Sequence, residues 1–158
     1  MGKYKKYTSK EDALKKLMRY CAYQDRCHRE VTHKLLDLGI YGEDHDEIVL
    51  YLIQEGFLNE ERFAKSFARG KFRFKKWGRK KIIQALQQRD ISPYLIKEAM
   101  KEIEEADYTD TLYHLAKRHL GQSKDYAHRT KTFRYLYNKG YESSLIQQTL
   151  DRLISPGK

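Results

Sequence analysis

The strongest constraint in this sequence is its self-similarity. Displacing the chain by 50 residues superposes Leu86, Ile91, Ile96, Met100 and Ile103 on Leu136, Tyr141, Ile146, Leu150 and Leu153, and Arg79 on Arg129. A weaker copy lies upstream: Leu35, Gly39 and Ile40 match at an offset of 51, and Ile48 and Leu52 at 48, after a short insertion near Tyr41 to Asp46. Such a period marks a tandem array, in which each unit is too small to bury its apolar face alone. Gly39 and Gly140 stand where a helix would end in a left-handed cap, and Asp90 replaces them in the middle copy.

Between these punctuation points the apolar residues recur with helical spacing, and alternating strand patterns are missing. Three helices per copy are predicted: 10–24, 28–38 and 45–55; 59–76, 79–89 and 93–104; 108–120, 127–138 and 142–153. Asn59 before Glu60-Glu61, and Ser92 before Pro93, mark two of the starts. The expected fold is all-α: three tandem three-helix repeats, 10–57, 58–106 and 107–154, stacked into an elongated, curved solenoid. A basic tail (1–9) and a short C-terminal tail (155–158) flank them.

Several classes are excluded early. The longest apolar run, Ile48 to Ile53, is far below the roughly 20 residues of a membrane span. The basic start, Met1 to Lys6, leads into no apolar core and so is no secretory signal. Tyr7 stands where a myristoylation motif after Gly2 needs Ser or Thr. Two cysteines, Cys21 and Cys27, build no disulfide framework and suit a reducing compartment. The reading is a soluble, cytoplasmic monomer.

Charge supplies the functional lead. The formal net charge is +10, and its signs are segregated. Residues 35–61 hold eight acids and no Lys or Arg; residues 62–89 hold eleven bases and no acid. A folded chain with one strongly basic segment favours a polyanionic partner, most often nucleic acid. On a wheel of about 100° per residue, Phe63, Phe67, Phe74 and Trp77 form one stripe, read as core. The opposite arc carries Arg62, Lys65, Arg69, Arg73 and Lys76, with Phe72 at its edge. Cations there would take phosphates, and an exposed Phe72 would stack on a base or fill a slot on a partner. Arg79, Lys80 and Lys81 open the next helix, where cations oppose the macrodipole and a bound phosphate would reverse that cost.

Other chemistry finds no support. Glu43 to Glu47 lack the glycine and spacing of a calcium loop, and they complement a helix start. Cys21, Cys27, His28 and His33 match no zinc spacing; His114 and His119 are five apart rather than four. No phosphate-cradling glycine loop and no nucleophile–base arrangement occurs. No metal, no cofactor and no catalytic residue is expected. The many tyrosines, Tyr141 among them, suit half-buried surfaces between small bundles.

Glu55-Gly56-Phe57-Leu58-Asn59-Glu60-Glu61-Arg62-Phe63-Ala64, followed by Gly78-Arg79-Lys80-Lys81-Ile82, resembles the RecX family of bacterial recombination regulators. Ala13, Leu17, Arg29-Glu30-Val31 and Lys34-Leu35 before Gly39-Ile40 fit the same pattern, so the resemblance spans roughly residues 10–154. It implies a regulator, not an enzyme, that binds the RecA recombinase filament and modulates its ATPase, growth and strand exchange in DNA repair and the SOS response, with inhibition the expected direction. It also implies weak, sequence-independent contact with single- and double-stranded DNA. The contact candidates are Arg62, Lys65, Arg69, Phe72, Arg73, Lys76, Arg79, Lys80 and Lys81. The alternatives are a nucleic-acid-binding helical repeat with no recombinase partner, and a scaffold that docks partners through its charge blocks.

Overall fold

The computed structural model describes residues 8–155, so nearly all of both predicted tails lies outside it. Among the described residues there are nine helices and no strand: α1 (Lys10–Tyr23), α2 (His28–Asp37), α3 (Gly42–Gln54), α4 (Glu60–Lys75), α5 (Arg79–Gln88), α6 (Pro93–Met100), α7 (Glu105–Leu120), α8 (Tyr126–Asn138) and α9 (Ser143–Ile154). They pack in threes in chain order. Ser9, Asn59, Ser92 and Asp125 each accept a hydrogen bond from a first-turn amide of the helix they precede.

The internal repeat is most literal at the end of each middle helix. Gly39, Asp90 and Gly140 all take positive φ (79°, 59° and 100°). Each time the following residue turns inward and donates back across the cap: Ile40 to Leu35 O, Ile91 to Leu86 O and Tyr141 to Leu136 O, at 2.9–3.2 Å. Leu35, Leu86 and Leu136 are completely buried. Asp90 holds the left-handed conformation without being glycine, which short polar side chains tolerate best.

Three boundaries differ from expectation by three residues or more, and the first is the start of α3, at Gly42 rather than 45. α6 ends at Met100 rather than 104, because Lys101, Glu102 and Ile103 donate three residues back and tighten the chain into a turn. α7 begins at Glu105, so Tyr108 lies a turn inside the helix and is fully buried. α4 runs unbroken through Gly70.

The apolar interior is divided unequally. Repeat 1 has its own core around Leu17, Val31, Leu35, Ile48 and Leu52. Repeats 2 and 3 share one core, from Phe63 and Ile82 through Tyr108 and Tyr141 to Ile146 and Leu150. Cys21 belongs to the first; Cys27, in repeat 1, belongs to the second.

Candidate polyanion-binding face

Several predicted contact residues are held by the protein's own carboxylates instead, and Arg62 and Arg79 thereby join neighbouring repeats. Arg62 pairs with Asp25 at 2.7 Å and donates to the carbonyls of Gly56 and Phe57. Lys65 pairs with Glu61 one turn earlier, and Arg69 pairs with Glu102. Arg79 is the most committed: its guanidinium grips Glu142 at 2.8 Å and also Glu105, and lies 3.8 Å from the centroid of the Tyr108 ring. Nor is the start of α5 open to a phosphate. The Gly78, Arg79 and Lys80 amides donate to Lys139 O, Tyr108 Oη and Gly140 O at 2.7–3.0 Å. Repeat 3 fills the position the sequence assigned to an anion.

The aromatic assignments change as well. Phe72, expected to be exposed, packs on the shared core 5.8 Å from Tyr108. Phe74, expected in the core, is 79% exposed. The reason lies in length. The last turn of α4 reaches repeat 3, so the buried arc moves round toward Phe72 and leaves Phe74 in water. Phe63 is buried and Phe67 half-buried; Trp77 is half-buried too but follows the helix, because Lys76 ends it with φ 59°.

Arg73 and Lys76 are exposed and have no carboxylate within salt-bridge distance among the described residues. The groove beside them, however, is walled by Glu102, Glu104, Asp107 and Asp110, which would repel a phosphate chain.

On the opposite side of α4, the two acids that line the cleft with Phe67, Lys71 and Arg89 are already paired, Asp25 with Arg62 and Glu30 with Arg26. Arg89 lies 4.8 Å from the Phe67 ring; Lys71 is 5.4 Å from Phe67 and 4.9 Å from Trp77; Lys81 is 4.6 Å from Trp77. Lys139 stands 5.7 Å from Tyr135, and Lys80 5.8 Å from Tyr137. None of these five cations has a carboxylate partner among the described residues. Burial, and then the charge of Lys81, pull the Lys139 ammonium below the ordinary lysine value. Lys139 and Arg89 donate only to backbone carbonyls, of Lys75 and Ala85, so the row carries positive charge unpaired by carboxylate on an aromatic floor, and an anion between Lys81 and Lys139 would remove their repulsion. Of these residues the sequence reading named Lys80 and Lys81. It missed Lys71, whose wheel angle of about 80° falls between the core stripe and the basic arc, and Arg89 and Lys139, which are caps from helices far along the chain. Two rings beside one basic helix were the only available signal.

Among the described residues no three His, Cys, Asp or Glu side chains come together in a group that could hold a metal ion. No described helix is long and apolar enough to cross a membrane.

Fold and face together define a basic helical-repeat protein whose exposed chemistry is cation on aromatic. Residues 59–100 match the family model for the second three-helix domain of RecX, and residues 105–150 that for the third. The regulatory protein RecX of Prosthecochloris aestuarii is 28% identical over 144 residues, covering 90% of this chain and 94% of its own. That of Lactobacillus johnsonii is 25% identical over 96% of this chain, which spans only 57% of that longer relative. The crystal structure of RecX from Lactobacillus salivarius superposes with a TM-score of 0.81 at 22% identity, over 91% of this chain and 96% of that one, and agrees in fold. The chain belongs to the RecX family of regulatory proteins.

Proposed function

We propose that this chain regulates recombination by binding the RecA nucleoprotein filament and restraining its ATPase, growth and strand exchange. The observation that carries this reading is family membership joined to a row of five cations, none of which is paired with a carboxylate among the described residues. A filament presents nucleic-acid phosphates along its length, and the spacing of Arg89, Lys71, Lys81, Lys139 and Lys80 across two repeats suits a chain of charges better than one ion. Arg73 and Lys76, beside an acidic wall, fit a mixed-charge protein surface and so the recombinase itself.

The test uses purified recombinase on single-stranded DNA. Saturating protein should depress ATP hydrolysis and strand exchange, and the triple change Lys71→Ala, Lys81→Ala, Lys139→Ala should relieve that effect. No effect of the unaltered chain on either reaction would sink the proposal. The same cation row supports the second reading, a nucleic-acid-binding repeat with no recombinase partner. Steeply salt-dependent DNA binding with unchanged recombinase activity would select it.

A further inference from the structure

The row of cations leaves one large apolar side chain beside it unexplained. Phe74 exposes 79% of its surface, although a phenyl ring gains more than almost any side chain from burial. It lies in the unbroken helix α4 at i+7 from Phe67 and i+3 from Lys71, spacings that set all three on one helix face. Phe67 and Lys71 already belong to the cation–aromatic row, so Phe74 extends it into solvent. Lys75, next to it, is also exposed and has no carboxylate partner among the described residues.

We infer that Phe74 is a base-stacking platform that makes this face selective for single-stranded nucleic acid. The inference rests on the polyanion reading of the face and adds the class of polyanion. Cations alone attract any phosphate chain, single or double. A duplex hides the faces of its bases inside the stack and offers an external ring nothing to lie against. An unpaired strand offers a base face at every nucleotide, and aromatic stacking is indifferent to sequence because every base has one. Phe74 lies one helical turn from Lys71, so a phosphate held by that lysine would set a base within reach of the ring. A nucleic acid fits better than a protein, since Lys71, Lys75 and Lys81 have no carboxylate partner among the described residues and a phosphate chain supplies an anion at every nucleotide.

The test compares binding of the full-length chain to a dT oligonucleotide and to a duplex of equal length at fixed salt. Phe74→Ala should weaken single-strand binding about tenfold and leave duplex binding within about twofold. Phe74→Trp should retain the preference, and Phe74→Leu, which keeps apolar bulk without a π face, should lose it. Circular dichroism establishes that each variant is folded. Equal loss for both ligands, no loss for either, or full retention by Phe74→Leu would overturn the stacking role. So would loss of recombinase binding with DNA affinity unchanged, which would make the ring a protein anchor. The polyanion reading fails by a different result: indifference of all binding to Lys71→Ala with Lys81→Ala.

Discussion

The two junctions between repeats are built on different chemistry. Between repeats 2 and 3 the join is a continuous core. Tyr108 and Tyr141 lie 5.1 Å apart and fully buried, and Phe72 packs against the first. The Tyr108 hydroxyl accepts from the Arg79 amide and donates to Glu142; the Tyr141 hydroxyl donates to Lys76 O at 2.8 Å. Gly78 and Gly140 touch backbone to backbone, so that a Cβ on Gly78 would meet the Gly140 carbonyl carbon at 2.3 Å. Between repeats 1 and 2 the join is mostly polar. Asp25 accepts from Arg62 and Ser66, Glu60 accepts from the His28 amide, and Arg29 donates to Gln88 O. Cys27 is the buried repeat-1 side chain in the shared core. Clefts of about 680 Å³ and 520 Å³ open beside this junction, the first lined by Cys27, His33 and Asp90, the second by Asp25, Phe67 and Lys71. Repeats 2 and 3 therefore form one unit, and repeat 1 is attached to it through bonds that water can replace.

The largest expected effect follows from emptying the continuous junction. Tyr108→Ala should cost about 3–5 kcal/mol, since it removes a buried ring and leaves the Arg79 amide and Glu142 Oε1 without their partner. Calorimetry should show repeats 2 and 3 losing stability as one transition; a shift confined to repeat 3 would break the claim of a shared core. Gly78→Ala comes next, at about 1–3 kcal/mol, because the added methyl group meets backbone that cannot swing aside. A melting temperature equal to that of the unaltered chain would show that the two caps can separate freely.

These junctions also explain what was legible in the sequence. The repeat, its helices and its caps could be read because they depend on local spacing: Leu35, Leu86 and Leu136, with their inward-turning successors, carry the pattern unaided. The functional face could not be read the same way. A wheel assumes one environment along a helix, yet α4 passes from the core of repeat 2 to that of repeat 3, and this exchanges the roles of Phe72 and Phe74. Nor does charge alone tell an arginine that holds Glu142 and Glu105 from a lysine with no acid near it. That distinction depends on residues 26 and 63 positions away along the chain.

The smallest effect should appear at the polar junction, and it should depend on pH. Burial alone would raise the Asp25 carboxyl, but hydrogen bonds from Arg62 and Ser66 and the charges of Arg62 and Arg69 outweigh it and hold it below the usual carboxylate range. A depressed folded value means that stability is fully present above the unfolded value, about 3.9, and is lost as pH falls through the folded one. The buried phenols of Tyr108 and Tyr141 are raised instead, by desolvation first, so the other junction keeps its contribution below about pH 10 and loses it only above. Burial also pushes the Cys27 thiol up to about 11, so alkali weakens both junctions and acid separates them. Amide exchange below pH 4 should therefore rise first around Asp25 to Glu30 and the start of α4, while the Tyr108–Tyr141 region stays protected. Asp25→Asn should abolish this early acid step and cost no more than about 1 kcal/mol at neutral pH, because Arg62 is 43% exposed and keeps a neutral acceptor. Simultaneous acid loosening of both junctions would mean that repeat 1 is held by Cys27 and its apolar contacts rather than by Asp25.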